Sequence, residues 1–246
     1  MGLIRMGPPT ELVIKLKEKY NLQDFIETGT YHGNTSVWAS RYFQNVITTE
    51  YSKETYEKTV GKYGTVNNVN FVLGDSRAVL KVLVPQLNRP ALFWLDAHYS
   101  GGETYGQDDE SPLIEEIQAI SISKYDHFIL IDDARLFTSP PPQPHRIDQW
   151  PSIDEVIEAL MSGNHKYYIV IIEDVIIGVP GYAKELVANY CQEVNTKAWE
   201  EHGKRFNKSL MKQGYRLVGE GLKLIGWDLL TRLKHLAFNL IQRVMS

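Results

Sequence analysis

The side chains best able to do chemistry in this 246-residue chain recur at one kind of place, the end of an apolar run. Glu27 and Gly29 end the first run, in "FIETGTYHGNT". Glu50 ends "NVITTE", Asp75 follows "VNFVLG", Asp96 ends "ALFWLD", and Asp132 and Asp133 follow "HFILI". Acids gathered at one edge repel one another and destabilise a fold unless something neutralises them. Each could instead cap the helix that follows, which Asp does well. That reading suits Asp75 or Asp133 taken singly and suits five runs in a row poorly. His98, two residues beyond Asp96, is the nearest general-base candidate, because imidazole titrates near neutral pH. It reads equally well as a structural histidine bonded to a loop carbonyl. His145 reads as a loop contact, and Trp150 and Tyr99 as packing or as an aromatic wall for a ligand.

These residues need a scaffold, and the pattern between them supplies one. Strand-like runs at 25–29, 45–50, 69–74, 91–96 and 127–132 alternate with helix-like stretches "TSVWASRYF", "SKETYEKTVGKY", "RAVLKVLVPQL" and "PLIEEIQAI". Nearly continuous apolar strands belong to a buried parallel sheet. The expected fold is therefore α/β, a doubly wound, Rossmann-like, mostly parallel sheet. "KYYIVIIEDVIIGVP" (166–180) leaves no room for a helix between its two apolar runs. It predicts a terminal antiparallel pair, although Glu-Asp is a mediocre hairpin turn. Ser111 before Pro112 predicts a helix start, and Ser152 with Glu155 a capping box. Two long loops, 97–110 and 135–151, leave the carboxyl ends of strands, where ligands bind in open α/β sheets. No internal repeat stands out.

Composition bounds the rest. Hydrophobic content of 43% and charged content of 23% are ordinary for a globular protein. One cysteine, Cys191, excludes an intrachain disulfide and a four-cysteine zinc site, and a cytoplasmic setting is expected. The first residues lack the apolar core of a signal peptide, and no apolar run is long enough to span a bilayer. The net charge of −4 hides an asymmetry: residues 203–246 hold nine Lys/Arg and two Asp/Glu, a net of +7, leaving −11 for the remainder. The acidic body argues against nucleic acid as a ligand. The organisation expected is a helical segment 1–20, a ligand-binding domain 21–180 and a basic helical extension 181–246. Within the extension, 227–245 reads as one helix set off by Gly219, Gly221 and Gly226. Leu229, Leu233, Leu236, Leu240 and Val244 form one face, which Leu230, Ala237 and Ile241 widen. That stripe is expected to be buried on protein, on the body or in a homo-oligomer, with peripheral membrane contact as the rival reading.

Glu50 stands 21 residues beyond Gly29, the distance at which an acid bonds ribose hydroxyls in nucleotide-binding folds. The glycine pattern is G-x-x-x-G, without the third glycine of a dinucleotide site. A nucleoside without pyrophosphate fits better, and S-adenosylmethionine is such a ligand. "FIETGTYHGNT", "ITTEYS", "GDSRAVL", "LFWLDAHYSGG" and "FILIDDARL" occur in the order of the motifs of class I S-adenosylmethionine-dependent methyltransferases. Over roughly residues 20–180 the chain resembles the metal-dependent catechol-type and macrocin-type O-methyltransferases of that class.

The resemblance implies that Glu27, Gly29 and Gly33 line the methionine part of the cofactor, with Tyr31, Asn34 and Thr35 where the glycine loop passes it. It implies that Glu50 holds the ribose, that Asp75 and Ser76 lie beside the adenine, and that Asp96, itself near the cofactor, binds Mg²⁺ or another divalent ion with Asp132 and Asp133. Three carboxylates suit such a hard ion. The chain departs from the family in having Asp132-Asp133 where Asp-Asn is frequent, and "DAHYSGG" where the catechol type has a lysine base. His98 and Asp96 are the catalytic candidates. The implied activity is methyl transfer to a hydroxyl of a small acceptor: a sugar, a phenol or a polyketide-type metabolite. The alternatives are a metal-free methyltransferase using His98, a non-catalytic nucleoside-binding module and, weaker, a nicotinamide oxidoreductase.

Overall fold

The computed structural model describes residues 7–99, 109–163 and 165–244; for 237, 238 and 240–244 it describes the backbone alone. These residues form a seven-stranded sheet from β1 (Asp24–Thr28), β2 (Asn45–Glu50), β3 (Val69–Leu73), β4 (Leu92–Leu95), β5 (Phe128–Ile131), β6 (Tyr167–Ile172) and β7 (Val175–Pro180). The strand order is β3-β2-β1-β4-β5-β7-β6. The first five strands pair in parallel, and β7 is antiparallel to both β5 and β6. The doubly wound sheet with a terminal antiparallel pair is as expected. Chain order reverses between β1 and β4, and the crevice at such a switch point is where open α/β sheets bind ligands.

The helices are α1 (Thr10–Tyr20), α2 (Asn34–Ala39), α3 (Lys53–Tyr63), α4 (Ser76–Leu83), α5 (Leu113–Ser121), α6 (Arg135–Thr138), α7 (Ile153–Met161) and α8 (Lys184–Val244). Strand side chains alternate between faces. Ile26, Phe93, Ile129 and Ile131 join Leu80 of α4, Ile117 and Ile120 of α5, and Val156 and Leu160 of α7 in the main core. On the other face Phe25 meets Trp38 of α2, and Phe128 meets Tyr20 of α1. This burial sets the strand ends in register, and so sets where the acids stand.

Local chemistry explains the boundaries and two surprises. The capping box forms: the Ser152 N–H donates to Glu155 Oε2 at 2.7 Å and the Ser152 hydroxyl at 2.8 Å. Helix α5 starts where Ser111-Pro112 predicts, but one residue later than the expected cap. Pro112 takes the cap position, and Ser111 Oγ is buried without a hydrogen-bond partner. The β6–β7 turn is two residues, Glu173 and Asp174, both left-handed with φ of 51° and 66°. Non-glycine residues pay strain there, and this turn is offset by bonds. Asp174 O accepts from Ala134 N at 2.8 Å, Asp174 Oδ1 accepts from Arg135 N at 2.9 Å, and the Tyr190 hydroxyl donates to Glu173.

The chain divides into two compact units, 1–190 and 191–246. The expected break at Gly219, Gly221 and Gly226 is absent, since α8 runs through all three. Each glycine weakens a helix by about 1 kcal/mol relative to alanine. Without a proline, the Leu, Lys, Arg and Glu around them carry the helix on. Met245 lies outside the described residues. The stripe's described members, Leu229, Leu230, Leu233 and Leu236, are exposed, as are Trp199 and Trp227 at 75% and 77%. Among the described residues no helix is long and apolar enough to cross a membrane.

Candidate functional site

The two glycines of the opening motif are needed for close approach, and what approaches is the protein itself. Gly29 has φ +81°, and a Cβ there would lie 2.3 Å from the backbone oxygen of Asp96. Gly33 has φ +71°, and a Cβ would lie 2.8 Å from Thr59 Cγ2 on α3. The first contact joins the end of β1 to the end of β4; the second seats the loop on α3. Between them Tyr31 is left-handed and exposed, with its N–H held by Glu50. Asn34 is exposed and Thr35 half-buried in the first turn of α2.

The acids after the first three strands each have their own partners. Glu27 is enclosed and accepts from the hydroxyls of Thr48, at 2.6 Å, and Ser36. Burial nevertheless lifts its pKa to about 7, against the pull of those bonds. Glu50 spans two turns, taking Tyr31 N on Oε2 at 2.8 Å and Ser52 N on Oε1 at 2.9 Å. A carboxylate has about four acceptor positions, so the geometry leaves it capacity for a diol. Asp75 caps α4 through Arg77 N and is bridged by the Arg77 guanidinium at 2.7 Å, which holds its pKa low. Arg77 also reaches Asp109 at 2.7 Å. Ser76, beside it, is buried and its Oγ lacks a partner.

The acids after β4 and β5 converge on His98. His98 Nε2 lies 3.0 Å from Asp133 Oδ2, and Nδ1 lies 3.5 Å from Asp96 Oδ1. Asp133 is left-handed, φ +56°, and its other oxygen meets Arg135 Nη1 at 2.7 Å. Arg135 in turn is held by Asp174 of the hairpin turn. Burial opposes ionisation of Asp133, but His98 and Arg135 override it and keep its pKa low. Asp96 and Asp132 go the other way. Burial first, then each Asp's carboxylate neighbours, raise both.

The three aspartates do not, as arranged, make the expected three-carboxylate metal site. Both Asp133 oxygens are engaged by protein side chains, His98 and Arg135, and Asp132 Oδ1 accepts from Asp133 N at 2.8 Å. Among the described residues no group of three His, Cys, Asp or Glu side chains is placed to hold a metal ion.

Four residues escaped the sequence reading. Arg77 and Arg135 each stand two positions after a strand-end aspartate, a repeated Asp-x-Arg spacing that was there to be seen. Glu116 is buried on the apolar face it shares with Leu113, Ile117 and Ile120. Burial raises it to about 7; the Ser76 and Thr28 hydroxyls ease it without giving Oε1 a well-formed hydrogen bond. It lines a small recess with His98, Ser111, Asp132 and Phe137. Glu110 fastens the two long loops: it accepts from Trp150 Nε1 at 2.6 Å and from Arg146 N and His145 Nδ1 at 3.1 Å. Trp150 packs edge-on against His98 with ring centres 5.5 Å apart, so Trp150 and His145 are parts of one loop clasp. Residues 100–108 of the first loop lie outside the described residues.

No family model matches the chain, and no curated protein matches it in sequence. Solved structures do match in fold. The O-methyltransferase TomG from Streptomyces achromogenes, involved in tomaymycin synthesis and in complex with SAM, is similar at 15% identity. The match covers 72% of this chain and 82% of TomG, with a TM-score of 0.50. The O-methyltransferase from Bacillus cereus, in complex with SAH, matches at 16% identity over 71% of this chain and 82% of its own, with the same TM-score. SAH-bound methyltransferase PaMTH1 from Podospora anserina matches at 18% over 71% and 80%, also at 0.50. At these identities the likeness establishes the fold.

Proposed function

We propose that the chain is an S-adenosylmethionine-dependent methyltransferase acting on a hydroxyl of a small acceptor, of the sugar, phenolic or polyketide-metabolite kind. The observation that carries this is the Glu50 carboxylate, pinned by two backbone N–H groups at the end of the strand beside β1. The fold neighbours bound to SAM or SAH support the same reading. In it Glu50 takes the ribose hydroxyls, Ser76 stands on the adenine side, and the Gly29–Asn34 turn passes the methionine part. Asp75, already bridged by Arg77, contributes mainly by holding the turn. Thr35 and Glu27 support the loop from beneath.

When bound, S-adenosylmethionine supplies an activated sulfonium methyl. The chain's own task is to deliver an acceptor oxygen in line with it and to remove the hydroxyl proton. Asp133, clamped by Arg135, fixes His98 through Nε2 and leaves Nδ1, on the Asp96 side, to receive the proton. Asp96 then faces an imidazolium and stabilises it. A second reading, in which a divalent ion assists, draws on the raised Asp96 and Asp132, whose mutual repulsion a cation would relieve.

The test is calorimetry with S-adenosylmethionine and with NAD. S-adenosylmethionine alone should bind, and Glu50→Ala should weaken it more than tenfold, as expected of a charge-assisted contact worth roughly 1.5–3 kcal/mol. Unchanged affinity in folded Glu50→Ala protein would sink the assignment. An acceptor screen with labelled cofactor, run with Mg²⁺ and with chelator, separates the two readings. Turnover that survives chelation and vanishes in His98→Ala supports the first, and turnover lost on chelation the second. Binding without turnover on any acceptor class would leave a binding module.

A further inference from the structure

Because α8 is unbroken, a regularity appears that shorter segments hide. Met211, Leu222 and Leu233 recur every eleven residues; so do Gly214, Ile225 and Leu236, and Val218 and Leu229. Together they advance by threes and fours along one side of the helix. A second line keeps the same period one residue on: Lys212, Lys223 and Lys234. Every side chain longer than glycine in both lines is exposed. No carboxylate pairs with these lysines among the described residues, whereas Arg205, Arg216 and Arg232 each meet an acid one turn away.

We infer that residues 211–236 form a membrane-surface helix, which lays its apolar line into an anionic lipid surface with the lysine line at the headgroups. Three observations favour lipid over a second copy of this chain. An eleven-residue repeat is about 3.67 residues per turn, close to the 3.6 of a straight helix, so the stripe runs along the axis and suits a plane; the seven-residue spacing that Met211, Tyr215, Val218, Leu222, Ile225 and Leu229 also keep is broken by Arg232, where the eleven-residue line goes on through Leu233. The rim is cationic, and a second copy brings the same lysines and no spare carboxylate beside them, while anionic headgroups neutralise the whole line. Lysine stems also lie along apolar surface while their ammonium groups stay in water. The opposite side has no continuous stripe: Phe206, Leu210, Leu217 and Leu224 are interrupted by Gln213, Glu220, Asp228 and Thr231. Since α8 is not apolar enough to cross a bilayer, the contact is with one leaflet.

Co-sedimentation of the full chain with vesicles tests this. The protein should pellet with phosphatidylcholine–phosphatidylserine vesicles, stay in solution with pure phosphatidylcholine, and be released by high salt. Leu229→Glu with Leu233→Glu should lower partitioning by at least about tenfold, and Lys223→Glu with Lys234→Glu should remove the preference for anionic lipid. Both pairs are exposed and lie outside the sheet, so unchanged thermal unfolding of the body is expected and checks that the variants are folded. Failure of the folded full chain to pellet with anionic vesicles overturns the inference. Sedimentation velocity then shows whether the Leu229/Leu233 variant breaks an oligomer, which would assign the stripe to a second copy. Equal pelleting by the double-leucine variant overturns it as well.

Discussion

The two halves of the sheet's carboxyl edge carry the same kind of residue in opposite condition. After β1, β2 and β3, each acid has been given partners by nearby sequence: Glu27 has the hydroxyls of Ser36 and Thr48, Glu50 has two backbone N–H groups, and Asp75 has Arg77. After β4 and β5, Asp133 takes both His98 and Arg135, while Asp96 and Asp132 are driven toward the protonated form. A satisfied acid is a fixture that presents a shape. A crowded one holds free energy that a proton, a cation or a substrate can release. In the proposed function the same residue type, at the same edge of one sheet, would thus serve binding on one side and chemistry on the other.

The comparison can be broken most severely where the halves touch. Gly29→Ala forces a Cβ to within 2.3 Å of the Asp96 backbone oxygen at a positive φ. It should destabilise by about 3 kcal/mol or more, seen as a large drop in denaturant midpoint; a drop under about 1 kcal/mol would mean that the halves are not packed as described.

Glu27 tests the contrast by titration, because burial raises its pKa although its hydroxyl partners are in place. Its folded pKa is about 7 and its ordinary value 4.5. Between those values the native state holds a proton that the unfolded chain has released, so stability falls as pH rises through this window. Glu27→Gln removes this share of the fall, about 1.4 kcal/mol per pH unit. Chemical denaturation of both proteins across that window checks it, and parallel profiles would show that Glu27 is not strained.

On the chemical side the loops depend on one buried acid. Glu110→Ala leaves Trp150 Nε1 and Arg146 N unpaired and should cost about 2 kcal/mol. Tryptophan fluorescence should report a freed Trp150 even where the sheet stays folded. The smallest effect expected is for Asp174→Asn. Asn tolerates the left-handed turn but loses the charge on Arg135, so the loss should be about 1 kcal/mol and should shrink in high salt. A salt-independent loss would point to the turn itself.

The sheet was legible because its strands are unbroken apolar runs, and 166–180 because two such runs leave no length for a helix. The acids were legible by their position. Their partners were harder to read: Arg135 lies two residues from Asp133, but its second anchor, Asp174, lies 39 residues on, and only folding brings it there. The same holds for the expected metal site: three carboxylates in a sequence do not say which oxygens are already taken, and among the described residues they are not grouped to hold an ion. The close approaches that require Gly29 and Gly33 were not legible either: a Cβ would meet Asp96 at one and Thr59 at the other, residues 67 and 26 positions away. In α8 the glycines suggested an end, and local propensity outweighed them.

The Glu173–Asp174 turn has a consequence for the order in which the protein comes into being. As the chain leaves the ribosome, every partner of Glu27, Glu50 and Asp75 named above has appeared by residue 77. The cluster around His98 waits for Asp174 to seat Arg135, and Tyr190 to brace Glu173. A nascent chain that stops short of the hairpin would therefore carry its first three acids furnished and the cluster around His98 unassembled. The full-length molecule acquires the second only when synthesis has passed the body.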